Sequence, residues 1–473
     1  MSEPMTSGMA ASFPAPERVR ACQTKLEEAG VKYLLSCWID LLGVPKTKPV
    51  PLSELAALCA GRGPQFAVHS VSFVPELTPA DSDQIPVPDL DPLVICPWDR
   101  RCAWVMADLW WQDKPYNLCP RHTLKRAVAD AAELGLAGFA GIEPEFITMR
   151  WHEGQPIKAF DNDPLPGQGL RPRRQAFGYD TEYSIDAMGF LGEIIEVLGE
   201  LKWGLKDVVA EGAYSQFELD FGYTDVLRMA DRLVFLRVLL KEVAKRHGMF
   251  VTFMPKPSIG DWRSGAHINF SMQRTDASGV NLFEGENGGW AECVYHAVGG
   301  ILSHGAALTA VACSTVNSYN GLVPRVGGFE GGTVTWAPTH MTYGNNNRSA
   351  MLRLPQNRFC IENRAADMCM NPYLSLALTL AFAAQGVAQR IDPGAALNRD
   401  LYALSDEQIQ AHGGRRLPRH LLEAVEALQA DELARDVMGA QMHESYLRYK
   451  IDEWERYHQA VTDWEVQEYL RLY

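Results

Sequence analysis

No two of this chain's ten cysteines stand at the spacing of a metal finger or a redox pair; they scatter at 22, 37, 59, 96, 102, 119, 293, 313, 360 and 369. A chain of 473 residues builds a core without covalent staples, so the thiols read as reduced and the compartment as cytoplasmic. Positive charge is also in short supply. Lys and Arg number 44 against 58 Asp and Glu, for a net charge of −14, and no basic patch is interleaved with aromatics. That balance argues against nucleic acid or an anionic membrane as the main partner. The first sixteen residues lack the apolar stretch of a signal peptide and read as a Pro-rich, flexible tail. Residues 368–389 carry no charge and are long enough to span a bilayer. However, Asn371-Pro372 is a helix-start signal, and Gln385 and Gln389 interrupt the run, so a buried helix in a large domain is expected. No fixed-period repeat is present.

What remains is ordinary globular composition, 47% apolar and 22% charged, at a length that suits two domains. Residues 17–116 read as short strands and turns around one amphipathic helix at 17–29, with two strand pieces hinged at Gly43. The Trp-rich stretch CPWDRRCAWVMADLWW is expected at the edge of a β-ladder. Residues 117–473 open on a helix that stops near Gly135, followed by a strand at 139–149. A helix capped by Asp225 and ended by Gly248 is expected at 225–247. After it come a strand in FVTFMPKPS, another in AHINFSM, a helix near 288–311, a Gly-rich loop RVGGFEGGTVTW and a strand MLRLP. Surface helices are expected over the last seventy or so residues.

Four motifs carry chemistry. In GIEPEF, Glu143 and Glu145 share one face of a strand. EGAYSQFE supplies Glu211 and Glu218; SGAHINFS places His267 in an apolar strand; IENR puts Glu362 and Arg364 on one face. Singly, each also fits a solvated acid or a satisfied core histidine. Together, five glutamates and one histidine furnish three ligands to each of two hard divalent cations, Mg²⁺ or Mn²⁺, and leave a filled site nearly neutral. Arg348, Arg353, Arg358 and Arg364 cluster beside Glu362 and read as a clamp for phosphate and carboxylate.

The order of motifs then becomes informative. A D-x-x-G loop at Asp40 precedes G-x-E-P-E-F and E-x₆-E, then FMPKP with S-G-x-H, NSYxxLVP, NRSAxxRxP and E-x-R before NPYL. From about residue 17 to the last residue, the chain resembles the glutamine synthetase superfamily. TWAP at 335–338 and YGNNNRS at 343–349 resemble the branch that makes γ-glutamyl amides, with its gamma-glutamylmethylamide, gamma-glutamylanilide and gamma-glutamylisopropylamide synthetases. The resemblance implies an α+β fold: a small N-terminal β-grasp domain and a large catalytic domain with a curved antiparallel sheet and flanking helices. It implies ATP as substrate, two or more Mg²⁺ or Mn²⁺ ions per site, and L-glutamate and an amine as partners. It also implies a homo-oligomer, a dodecamer of two hexameric rings with sites between subunits.

By position, the resemblance gives Glu145, Glu211 and Glu218 to one metal, and Glu143, His267 and Glu362 to the other. Arg364 and Gly265 fall at the glutamate site, and Arg348, Arg353 and Arg358 at the ATP phosphates, with Asn269 and Ser271 beside the nucleotide. Asp40 approaches the amine from a neighbouring subunit, Tyr179 lines the same pocket, and Glu330 is a flap acid. Tyr402 stands where some bacterial relatives carry a modified tyrosine, in a poorly matching context. The chain departs from the pattern at the substrate end. NSYNGLVP replaces the usual NSYKRLVP, so Gly321 removes an arginine that Arg325 stands near enough to replace. Asn269 stands for a second histidine, Trp262-Arg263 for Asn-Gly, and the loop after Asp40 reads LLGVPK. Trp262, Trp336, Leu41 and Leu42 suit a bulky or apolar amine, or else are packing residues. The expected activity is ATP-dependent formation of a γ-glutamyl amide from an organic amine. The alternatives are a true glutamine synthetase using ammonium and a non-catalytic ring.

Overall fold

The computed structural model describes residues 13–71, 77–160, 178–258, 262–323, 325–326, 333–334 and 336–472. Two sheets organise them. In the smaller, β1 (Tyr33–Ile39), β2 (Pro45–Pro51), β3 (Ile85–Pro88) and β4 (Cys102–Trp111) follow the order β2-β1-β4-β3. The Trp-rich strand expected at an edge is central: β4 runs parallel to β1 and antiparallel to β3. Its residues 103–107 are all buried, as befits a strand covered on both faces. Gly43 turns the chain between β1 and β2 at φ +82°, and a Cβ there would lie 2.9 Å from Asn371 Cα. This contact, with the Asn371 side chain donating to the Leu41 carbonyl at 3.0 Å, seats the Asp40 loop on the second half of the chain.

The larger sheet is built from β5 (Leu136–His152), β6 (Leu205–Ala210), β7 (Gln216–Phe221), β8 (Ala266–Arg274), β9 (His340–Asn345), β10 (Ala350–Leu354) and β11 (Ile361–Asn363). They lie in the order β9-β10-β11-β8-β5-β7-β6. Pairing is antiparallel as expected, except between β9 and β10, which run parallel. The FVTFMPKPS stretch contributes only Phe250–Thr252, because Pro255 and Pro257 offer no N–H to a ladder. The Gly-rich loop holds two short paired strands, Arg325–Val326 and Thr333–Val334.

Three helices position the sheet. In α1 (Pro120–Glu133), Pro120 occupies the first turn. The Asp225 side chain caps α2 (Val226–Arg246) by accepting from the Arg228 N–H. Asn371 caps α3 (Pro372–Gln389) by accepting from Tyr373 and Leu374. Among the described residues, no helix is long and apolar enough to cross a membrane. The uncharged α3 is instead core: Leu374, Leu376, Leu378, Leu380 and Phe382 are fully buried, each stabilising by about 1.5–3 kcal/mol. It crosses the helix Glu292–Ser303 so closely that a Cβ on Gly300 would lie 2.1 Å from the Phe382 carbonyl oxygen.

Two helical expectations need correction. The helix expected at 288–311 breaks at His304 into Glu292–Ser303 and Gly305–Ala312, where the His304 ring bonds Asp431 and Gln385. The C-terminal helices are not all surface. Leu421, Val425 and Leu428, then Met438, Met442 and Tyr446, form apolar stripes in the main core. Only Asp463–Tyr469 has no buried residue. Between the two sheets lies a buried charge cluster. Arg121, 2% exposed, donates to Asp108 at 2.7 Å, to Asp89 at 2.8 Å and to Asp231 at 2.9 and 3.0 Å.

Candidate active site

The registers of the large sheet assemble one polar face. Glu218 on β7 lies opposite Glu145 on β5, and Glu143 opposite His267 on β8. Asn269 lies opposite Glu362 on β11, and Glu362 opposite Arg353 on β10. Because strand side chains alternate, the intervening Ile142, Phe146, Phe217, Ile268 and Phe270 point the other way into the core. The same alternation that packs the core therefore lines up acids and arginines across neighbouring strands. That face opens on a cavity of about 450 Å³.

Two carboxylate groups meet in it, differently balanced. Glu143, His267 and Glu362 have ligand atoms within 4.8 Å of one another. His267 Nδ1 lies 3.4 Å from Glu143, and Arg358 donates to Glu143 at 2.7 Å. Arg353 donates to Glu362 at 2.7 Å, and Arg364 reaches its other oxygen. Burial pushes both acids up, but His267 and Arg358 hold Glu143 below its ordinary range, and Arg364, His267 and Arg353 hold Glu362 down to about 2. Burial, reinforced by Arg364, lowers His267, which favours the neutral imidazole that binds metals.

Glu145, Glu218 and His267 form the second group within 4.8 Å. Here burial and mutual repulsion outweigh the attraction of Arg263 and Arg364. Burial and then Glu211 push Glu145 up to about 8; burial and then Glu145 push Glu218 well up. Burial raises Glu211 as well, against Arg348 and Arg364. Repulsion of this kind among oxygen donors is what a hard divalent cation relieves, so the donor set fits Mg²⁺ or Mn²⁺. Gly265 makes the approach sterically feasible: a Cβ there would lie 2.9 Å from both Glu145 Oε1 and His267 Nε2.

Arg348 lines the cavity with its guanidinium 5.8 Å from the Trp336 ring, and its carbonyl accepts from Arg364 at 3.0 Å. Trp262 and Trp336 lie with ring centroids 6.1 Å apart, and Tyr179 lines the same cavity. Tyr179 and Trp336 hold left-handed backbones, φ +57° and +55°, each costing about 1 kcal/mol or more. Asn269 accepts from Arg358 at 3.0 Å. Ser271, farther along β8, does not line the cavity.

Asp40 is not part of its own chain's cavity. It accepts from Leu42 and Val44 at 3.0 and 2.8 Å and pairs with Lys46 at 3.3 Å. Glu330 lies outside the described residues, as does the side chain of Arg325. Tyr402 donates to the Ala337 carbonyl at 2.7 Å. Sequence reasoning passed over Gln216, which donates to Glu145 at 2.8 Å and to Ser264 at 3.1 Å. Its position two residues before Glu218, on the same face, was the available signal. The pairing of Arg263 with Asp367 had none.

Comparison with known proteins places this geometry. The description "Glutamine synthetase, catalytic domain" fits residues 117–469. The chain is 35% identical to a glutamine synthetase of Rhizobium meliloti (strain 1021), covering 94% of this chain and 98% of that one. It is also 35% identical to a glutamate–methylamine ligase of Methyloversatilis universalis, covering 95% and 99%. A solved structure titled "GmaS/ADP complex-Conformation 1" superposes with a TM-score of 0.82 at 33% identity, over 95% of this chain and 99% of that one.

Proposed function

The chain belongs to the glutamine synthetase family, and from that premise we propose that it is an ATP-dependent ligase joining the side-chain carboxylate of L-glutamate to an organic amine. The observation that carries the reading is the single sheet face on which Glu143, His267 and Glu362 meet Arg353, Arg358 and Arg364. A carboxylate is a poor electrophile, so it first takes the γ-phosphoryl group of ATP, giving γ-glutamyl phosphate and ADP. The neutral amine then attacks the acyl carbon; the C–N bond forms, the C–O bond to phosphate breaks, and the amine loses a proton.

Arg348, Arg353 and Arg358 neutralise charge on the phosphoryl oxygens, and Arg364 faces the glutamate carboxylate. Glu143, His267 and Glu362, with Glu145, Glu211 and Glu218, would hold two divalent cations, which when bound supply further charge neutralisation. Asp40 from a neighbouring subunit receives the amine in a dodecamer of two rings, and Glu330 closes the Gly-rich loop against water.

Trp262 and Trp336 support an organic amine over ammonium, since ammonium needs close polar partners and these walls are apolar. The equal identity to a glutamine synthetase favours, as second reading, ammonium as acceptor. ADP release with ATP, Mg²⁺ and L-glutamate, scanned over ammonium, methylamine, ethylamine, isopropylamine and aniline, decides between them. Strong turnover with one organic amine and little with ammonium is expected. Best turnover with ammonium would establish the second reading, and silence with all would overturn both.

A further inference from the structure

Trp262 and Arg263 are two large residues in succession, and each is seated on a glycine. A Cβ at Gly212 would lie 2.6 Å from the Trp262 indole, and one at Gly321 would lie 2.4 Å from Arg263 Cβ and 2.5 Å from its Cδ. Neither glycine has a left-handed backbone, so it is space and not conformation that excludes a side chain. Trp262 stands in the cavity beside Trp336; Arg263 also borders the cavity, but its side chain, 4% exposed, bonds to residues that do not line it.

Behind the cavity, the Arg263 guanidinium is tied in several directions. It donates to Asp367 at 2.8 Å, to the Ala365 carbonyl at 2.7 Å and to the Ser318 carbonyl at 3.2 Å. Asp367 is fully buried, so the pair is held in a dry environment. These bonds join the segment after Glu362 and Arg364 to the turn that carries Gly321. The Arg263 carbonyl in turn accepts from Gln216, whose amide also holds Glu145.

We infer that Arg263 is a positioning residue that fixes Trp262 as a wall of the acceptor pocket, and that Gly321 is glycine because the Arg263 stem occupies the space beside it. The inference rests on the ligase reading for its effect on amine choice. It does not rest on that reading for the seating itself. The cation absent from position 321 is thus present at 263, on the opposite side of the same gap, and is committed to anchoring the wall.

The test compares the ratio of kcat/KM for the preferred organic amine to that for ammonium in the unaltered protein, Arg263→Lys, Gly321→Ala, Trp262→Ala and the corresponding doubles. Lysine keeps the charge but loses the fork that spans two carbonyls and a carboxylate. Arg263→Lys and Gly321→Ala should each lower the ratio about tenfold, the scale of a shifted pocket contact. Neither should add to Trp262→Ala, because both act through the indole. An unchanged ratio, or shifts that persist without Trp262, would overturn the positioning role.

Thermal unfolding of the same proteins tests the seating with no substrate present. Gly321→Ala should lower the midpoint of the unaltered protein but not of Arg263→Gly, and equal effects in both backgrounds would overturn it. An unaltered protein silent toward every amine would overturn the ligase reading, while the thermal cycle would still decide the seating.

Discussion

Glu362 is fully buried and holds two guanidinium groups directly, with that of Arg358 at 3.5 Å. Removing its carboxylate has two separable consequences. Glu362→Ala should lower ADP release by at least about 100-fold with every amine, since even partners outside the ligand shell cost up to that much. It should also destabilise the protein by about 3–5 kcal/mol, because Arg353 and Arg364 are left as uncompensated buried cations. Glu362→Gln, which keeps the volume, separates the effects: turnover should still be lost while more of the denaturation midpoint is kept. Equal turnover in glutamate and glutamine forms would remove Glu362 from the site.

Elements are held to one another by charge as well as by apolar packing. Arg121 ties α1 to β4, to α2 and to Asp89 just past β3, and burial opposed by Asp231 and Asp108 leaves its guanidinium firmly charged. Arg121→Met should cost about 3–5 kcal/mol in urea unfolding, because Asp89, Asp108 and Asp231 lose a shared partner. A loss below 1 kcal/mol would show that Lys125, 3.5 Å from Asp89, suffices alone.

The break at His304 is a second such tie, and it is pH-dependent. Burial lowers its basicity, but Asp431 at 2.7 Å and Gln385 at 2.9 Å more than reverse this, so its folded pKa lies above the ordinary value, while that of Asp431 lies below. A raised imidazole stabilises fully below about pH 6.5 and loses that contribution as pH rises through the folded value. The lowered Asp431 contributes above about pH 3.8 and loses its share on acidification. The thermal midpoint should therefore fall as pH rises above about 6.5, and His304→Gln should flatten that fall. A slope unchanged by the substitution would place its cause elsewhere.

At the scale of the whole molecule, two experiments address assembly and metal. Dialysed free of divalent cations, the protein should unfold at lower temperature, and Mg²⁺ at about a hundred times its dissociation constant should restore about 2.7 kcal/mol. No shift on adding Mg²⁺ or Mn²⁺ would contradict the reading of the repelling Glu145, Glu211 and Glu218. Asp40 lies away from its own chain's cavity, so a site shared between subunits predicts complementation. Inactive Asp40→Asn and Glu362→Ala chains, unfolded and reassembled together in equal amounts, should regain about one quarter of full activity, as random heterologous neighbours allow. No recovery would place Asp40 outside the site or confine the site to one chain.

The sequence by itself determined the family, the elements with strong periodicity and caps, and which side chains share a strand face. Alternation in GIEPEF and IENR sufficed for Glu143, Glu145 and Glu362, and Asp225, Asn371 and Gly248 marked helix ends because capping is local chemistry. Only the tertiary structure decided what depended on partners distant in the chain. That β4 is central follows from which strands flank it, and that the C-terminal helices are core follows from what their stripes meet. The division of the five glutamates into a compensated pair and a repelling trio depends on where three arginines end up. The seating of Arg263 on Gly321 joins positions whose relation has no period or spacing, because close packing is fixed by shape in three dimensions and leaves no local signature.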